Sequence, residues 1–390
     1  MMIRRVVVLI LSAVLSGCGP LAGLGGNINI GGTYNLTGDL AALDVPASRG
    51  SELAVKEINA AGGVLGREIN FIILDGQTDP ATIGRTARDL TDTDKVVAIV
   101  GNSDTDSALV VGAIAQSAGI PYLTEGATSP KLPSQVGDDM FLEPFGDNVQ
   151  AAAGAEFMYN TLGCKTSWRL WDTSTEYTRL LAQYWQDGYE QLGGKVLLDD
   201  TYAQGDTDFS TQISRLAALD PQPDCLYVAA LTATDAGTIA KQLRAAGIAS
   251  PMIGGDGYDA PELVSTGGGA VENVYFTTHA FLSATQRSEK MKAFMAAYHQ
   301  EYGADPQSAF AALGYDAVYL IVHAIRRAGS TDPKAIRDAL AATKDFVGVT
   351  GSVTYQSGSR VPQKTVTIIA IKNGKYTLAA QLTPESVPSP

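Results

Sequence analysis

Residues 96–123 contain one complete folding unit: Val96-Val-Ala-Ile-Val100, then Gly101-Asn-Ser-Asp-Thr105, then Ser107-Ala-Leu-Val-Val-Gly-Ala-Ile-Ala-Gln-Ser-Ala118, then Ile120-Pro-Tyr-Leu123. The first run is apolar throughout, as in a strand buried on both faces. The small polar loop leads into an apolar-rich helix, and the last run is a second short strand. A strand that returns after a helical crossover pairs in parallel with the first. The same alternation extends upstream. Residues 28–31 read as a strand, 46–60 as a helix stopped by Gly62-Gly63, 68–74 as a strand and 81–91 as a helix. The pattern predicts a mostly parallel sheet covered by helices on both faces, ending near Gly146.

A second block of the same kind follows. Its strands are read at 167–171, 195–198, 225–229 and 251–254, and its helices at 148–162, 177–192, 209–219 and 233–246. Beyond it lie three more helices, at 288–301, 309–328 and 333–342. The tail turns to β structure at 352–355 and at a hairpin whose Asn373-Gly374 dipeptide favours a tight turn.

Composition narrows the function classes. The chain has 390 residues, with 28 Lys plus Arg against 41 Asp plus Glu and a net charge of -13. With 45% hydrophobic and 18% charged residues it is too apolar for a disordered chain. Its length favours two lobes over a single core. The acidic balance argues against nucleic acid as a partner, because a phosphate backbone needs clustered Lys and Arg. Three Cys are too few for a disulfide scaffold, and His279, His299 and His323 are too scattered for a zinc site or a histidine-centred triad. The first strand is not followed by G-x-G-x-x-G, and neither a P-loop nor a G-x-S-x-G elbow occurs. No catalytic residue, cofactor or metal site is therefore expected.

The N-terminus sets the compartment. Met1-Met-Ile-Arg-Arg5 is a short basic segment, and residues 6–15 form an apolar run. Ten such residues span about 15 Å as a helix, half of a bilayer core, which fits an export signal better than a membrane anchor. Leu15-Ser-Gly-Cys18 resembles the lipobox of bacterial lipoproteins. The resemblance implies cleavage after residue 17, lipidation of Cys18 and a tether over 18–27. The chain would then be held at the periplasmic or extracellular face of a membrane by several acyl chains.

The order of short fragments resembles the periplasmic solute-binding proteins of branched-chain amino-acid ABC transporters. These fragments include Leu36-Thr-Gly38, Gly50-Ser-Glu-Leu-Ala-Val-Lys-Glu-Ile-Asn-Ala-Ala-Gly-Gly63 and Gly101-Asn-Ser-Asp-Thr105. They continue with Gly126-Ala-Thr-Ser-Pro130, Gly254-Gly-Asp-Gly257 and Phe346-x-Gly348-x-x-Gly351. The likeness covers residues 28–380. It implies a type I periplasmic binding protein fold: two doubly wound α/β lobes joined by a three-strand hinge, with a solute trapped between them. The N-terminal lobe would comprise 28–146 plus 279–347, and the C-terminal lobe 147–278 plus 348–390.

The family pattern also implies a site. Thr105 would donate its hydroxyl to a ligand carboxylate at a helix N-terminus, although Thr105, Asp106 or Ser107 could equally cap that helix. Gly126, Ala127 and Thr128 would hold both charged groups of the ligand; Glu125 beside them, where the family usually has a small or neutral residue, would point at a cationic side chain or, as the preferred reading, at solvent. Asp256 would accept the ligand's ammonium, since a buried carboxylate needs a partner. Tyr177 and Phe310 would form aromatic walls. Leu43 and Thr232 stand where branched-chain amino-acid binders carry Tyr, which implies an altered or enlarged side-chain pocket that Trp171 could partly refill. Cys164 and Cys225 precede strands that the family places side by side, so a disulfide between them is an open alternative to two apolar fillers. The implied protein is a lipid-anchored monomer delivering a small molecule, an amino acid by resemblance, to an ABC permease. A sensory binding subunit, or a receptor for an aromatic acid or amide, are the alternatives.

Overall fold

A computed structural model describes residues 26–283, 288–356 and 358–390. The export signal, the lipobox and Cys18 lie outside the described residues. The chain begins with β1 (Ile28–Tyr34), α1 (Ala41–Ala60), β2 (Ile69–Asp75), α2 (Pro80–Arg88), β3 (Ile99–Gly101), α3 (Thr105–Ala118), β4 (Tyr122–Thr124), α4 (Leu132–Val136) and β5 (Met140–Leu142). These strands form one parallel sheet in the order β2-β1-β3-β4-β5. The winding reverses between β1 and β3, and a crevice opens beyond their C-terminal ends.

The second lobe repeats the plan with α5 (Asp147–Glu156), β6 (Thr166–Asp172), α6 (Glu176–Gln191), β7 (Lys195–Tyr202), α7 (Ser210–Ala217) and β8 (Cys225–Ala229). It continues through α8 (Ala233–Ala245), β9 (Met252–Gly254), α9 (Glu262–Gly267) and β10 (Val274–Thr278). The chain then returns to the first lobe as α10 (Glu289–Tyr302), α11 (Phe310–Ala328) and α12 (Pro333–Ala341). Helix α11 lies against α1 at very close range. A Cβ on Gly50 would fall 1.8 Å from the Ala311 carbonyl oxygen, and one on Gly314 2.0 Å from that of Ala47, so both positions require glycine. Helix α1 starts earlier than Pro46, at Ala41. Pro46 therefore sits inside the helix, where its missing N–H gives up one backbone bond.

A small hairpin, β11 (Phe346–Val347) and β12 (Ser352–Val353), precedes β13 (Val366–Lys372) and β14 (Lys375–Leu382). The last two strands are joined through Asn373 (φ 52°) and Gly374 (φ 68°), as the tight turn requires. They complete the second sheet, β14-β13-β10-β9-β8-β6-β7. The expected return to the second lobe at residue 348 falls inside the β11–β12 hairpin. Phe346 pairs with Val353, and Val353 and Tyr355 pack into the first-lobe core beside Phe141 and Val318. The chain crosses back only between Tyr355 and Val366.

The three crossings are tied together. Lys364 Nζ, on the third, donates to Glu143 Oε1, on the first, and to Thr350 Oγ1, each at 2.7 Å. Both charged side chains are buried. Thr350 Oγ1 donates in turn to Asp316 Oδ2 at 2.8 Å. The Leu142 N–H donates to the Arg360 carbonyl at 3.0 Å, and Phe145 stacks on His279 of the second crossing at 4.3 Å.

Candidate ligand-binding cleft

Most of the segments that reach the cleft follow the C-terminal end of a strand, β1, β3 and β4 in the first lobe and β6, β8 and β9 in the second, while Phe310 comes from the start of α11. Leu43, Thr105, Thr128, Tyr177, Asp256 and Phe310 are brought together around one inner chamber, with Ser103 and Leu231 beside them. The lobes are drawn close. Tyr34, Leu40, Leu43 and Phe310 of the first share one apolar cluster with Tyr177 and Leu231 of the second. The inner chamber is consequently only about 10 Å³, roughly room for one water. A solute enters when the lobes part on their hinge.

Helix α3 is capped by Asp104, whose Oδ1 accepts the Ser107 N–H at 2.8 Å. Thr105 is thereby released from capping. It is 1% exposed, and its hydroxyl has no partner in the protein. A buried polar group left unpaired costs about 1–3 kcal/mol, which an arriving acceptor recovers. Thr128 is also buried, and its carbonyl accepts the Asp147 N–H at 2.7 Å. Gly126 lies behind the chamber, where a Cβ would come 2.8 Å from both Phe310 Cε1 and Ser103 Cα. Ala127 does not meet the expectation of a ligand contact. Its N–H donates to Thr124 Oγ1 at 3.0 Å, and its methyl packs into the first-lobe core.

Glu125 faces the interior, not solvent. It is fully buried and accepts Ser103 Oγ at 3.1 Å, while the Ser103 N–H donates to Asp44 Oδ1 at 2.9 Å. Burial, reinforced by the Asp44 charge, pushes the Glu125 carboxyl well above its ordinary range. Asp44 is itself raised to about 7 by burial.

Asp256 follows β9 and is 2% exposed. Its Oδ1 accepts Tyr177 OH at 2.7 Å and Gln150 Nε2 at 3.0 Å; its Oδ2 meets His279 Nε2 at 2.9 Å. Burial lowers the His279 pKa, so at neutral pH the ring is an uncharged donor to Asp256. Three neutral donors thus hold a carboxylate at the chamber wall, and no Lys or Arg among the described residues bonds to it. Gln150 Nε2 also donates to Asp147 Oδ1 at 2.9 Å, and burial with the nearby Asp256 charge raises Asp147 to about 8.

Thr232 lies outside the inner chamber. Its hydroxyl caps α8 by accepting the Asp235 N–H at 3.1 Å, and with Leu43 it lines a side chamber of about 430 Å³. Trp171 does not refill the pocket; its Nε1 donates to Asp199 at 3.2 Å, away from the inner chamber. Gln150, His279, Asp147 and Ser103 escaped the sequence-based expectations for the site. Gln150 carried one usable signal, a long polar side chain directly before the small apolar run Ala151-Ala-Ala-Gly-Ala155. Cys164 and Cys225 are bonded, with Cα atoms 5.8 Å apart. They lie at the starts of adjacent strands β6 and β8, at the end of the sheet remote from the cleft.

These buried acids predict an unusual pH response. Asp44 and Glu143 are raised to about 7 and Asp147 to about 8, chiefly by burial. Between pH 4 and pH 8 these three carboxyls therefore hold more protons in the folded state than in the unfolded chain. Their stabilising contribution is complete below pH 4 and is lost as pH rises through these values. Thermal unfolding should show a midpoint on the order of 5 °C higher at pH 5 than at pH 8. A midpoint that rises from pH 5 to pH 8 contradicts this.

Comparisons with known proteins agree with the architecture. The family model "Periplasmic binding protein" matches residues 27–375. The substrate-binding protein LivJ of a Streptococcus pneumoniae branched-chain amino acid transporter, solved in complex with isoleucine, is 32% identical. It superimposes with a TM-score of 0.85 over 92% of this chain and 100% of that one. The Leu/Ile/Val-binding protein homolog 1 of Brucella abortus (strain 2308) is 26% identical over 320 residues, 82% of this chain and 84% of the relative. An amino acid binding protein of Pseudomonas aeruginosa is 28% identical over 233 residues, 60% of this chain and 61% of that protein's length. With two wound lobes, a triple crossing and a cleft at the strand ends, this chain belongs to the periplasmic binding protein family.

Proposed function

We propose that this chain is the substrate-binding component of an ABC importer, capturing an amino acid between its lobes and delivering it to the permease. The observation that carries the proposal is the opposition of two groups across the inner chamber. Thr105, on the first lobe, has a buried hydroxyl without a partner; Asp256, on the second, is a buried carboxylate held by neutral donors. The hydroxyl and the α3 N-terminus suit a carboxylate, and Asp256 suits an ammonium. A zwitterion bridging them draws the lobes together, and the closed form is what a permease distinguishes from the open one. The similarity to a transporter protein solved with isoleucine supports the same class of solute. The basic segment, apolar run and Cys18 support delivery from a lipid-anchored protein at the outer side of a membrane.

A thermal-shift screen of the twenty amino acids against unfolded and refolded full-length protein tests the proposal. A ligand at 100 times its Kd should add about 2.7 kcal/mol of stability. Thr105→Val should cut affinity for the best ligand about tenfold, the loss of one hydrogen bond to a charged group. It should leave the ligand-free melting temperature unchanged or slightly raised, because the lost hydroxyl has no partner in the protein. Equal affinity in the variant rules out this hydroxyl as the carboxylate donor.

A further inference from the structure

The turn that presents Asp256 to the inner chamber carries a second buried carboxylate. Asp256–Tyr258 form a single 3-10 turn, and Asp259 ends it, its N–H donating to the Asp256 carbonyl at 2.9 Å. Asp259 is 6% exposed and lines neither the inner chamber nor the side chamber. Its neighbours fasten it to the second lobe. Tyr258 OH donates to the Val228 carbonyl of β8 at 2.7 Å, and Tyr376 OH of β14 donates to the Ala260 carbonyl at 2.6 Å. Asp259 Oδ2 accepts Thr278 Oγ1, at the end of β10, at 2.6 Å.

The same oxygen accepts the Ala309 N–H at 3.1 Å. Ala309 belongs to the first lobe, where it packs with Leu53 of α1 in one apolar cluster. It precedes α11, a helix of 19 residues that has no side-chain cap of its own; the neighbouring Ser308 hydroxyl is buried and bonds to nothing in the protein. A second-lobe carboxylate therefore receives the N-terminal end of a first-lobe helix, where free N–H groups and the helix dipole favour negative charge. Phe310, the first residue of that helix, is a wall of the inner chamber. The acceptor moves with one lobe and the donor with the other, so parting the lobes breaks this bond. On the opposite flank, Gln135 Nε2 of α4 donates to Glu176 Oε1 of α6 at 3.1 Å, but that pair is exposed and water competes for it.

The geometry points to Asp259 as a clasp. It holds the lobes together before any solute arrives, and affinity is set in part by a positioning residue that touches no solute. The effect on affinity rests on the capture proposed above, whereas the clasp itself is tested without solute.

Small-angle X-ray scattering on refolded, ligand-free, full-length protein is that test. Asp259→Ala should move the closed-to-open ratio at least about tenfold toward open, read as a larger radius of gyration. Ala309→Pro removes the donor at a φ of -60°, which proline adopts, and should open the protein likewise. Asp259→Asn, whose amide oxygen still accepts both donors, should stay nearer the parent. Gln135→Ala and Thr105→Val should scatter as the parent does. Calorimetry with isoleucine should show affinity reduced about five- to tenfold by Asp259→Ala and less than about threefold by Asp259→Asn. Folded Asp259→Ala and Ala309→Pro variants that scatter like the parent overturn the clasp, as does Asp259→Asn opening as far as Asp259→Ala. Failure of every amino acid to bind the parent overturns the capture proposal, and the scattering still decides the clasp.

Discussion

Asp256→Asn is expected to reduce affinity for the captured amino acid by at least about 100-fold. The carboxylate is 2% exposed and already oriented by Tyr177, Gln150 and His279. In the proposed binding mode, substitution removes the charge that would face the ligand's ammonium, and it also turns an NH2 toward groups that are themselves donors. A buried hydrogen bond to a charged group is worth about 1.5–3 kcal/mol, and breaking a buried ion pair costs about 3–5 kcal/mol. Binding should therefore suffer far more than for Thr105→Val. Calorimetry on the variant, with circular dichroism to establish that it is folded, measures the effect. A folded variant that loses less than about fivefold would show that the ammonium is received elsewhere.

Opening the Cys164–Cys225 bond is the second large effect, and it should fall on stability alone. The two residues are 61 positions apart, and a loop of that length corresponds to about 4 kcal/mol in the chain-entropy description. Both cysteines are buried at the starts of their strands, whereas the ligand loops leave the opposite ends. Cys164→Ser with Cys225→Ser should lower the unfolding free energy by about 4 kcal/mol while leaving ligand affinity within twofold. Urea unfolding and calorimetry on the same preparations separate the two. A variant as stable as the parent would mean that the pair already behaves as packed thiols.

Much of the architecture was legible because the sheets are parallel and doubly covered. Such strands announce themselves as short apolar runs, and residues 225–229 form β8 with the bounds that the pattern implies. The lobe boundary was harder. The hairpin that keeps 346–353 on the first lobe is made by two strands of two residues each, too short for any period to register. The site was legible in part. Thr105, Thr128, Tyr177, Asp256 and Phe310 matched a family pattern of loops at strand ends, and the structure gathers them. The groups behind them were not. Gln150 lies 106 positions from Asp256, and only the packing of α5 on the second sheet brings the two together. Glu125 was misread because a carboxylate among small residues usually faces solvent. Its burial depends on Ser103 and Asp44, contributed by two other segments.

The bracing of the three crossings has a mechanical consequence. Glu143, Lys364 and Thr350 fasten the first connector to the third, and the Phe145–His279 stack fastens the first to the second. Three strips laminated in this way resist sliding past one another and resist torsion, but they still flex together, as a leaf spring does. The lobes are thus left one soft coordinate, a swing about a fixed axis. Any solute that closes the cleft must then carry the outer faces of the two lobes along the same arc. A transport partner needs only to read the position on that arc, and it can do so without touching the solute.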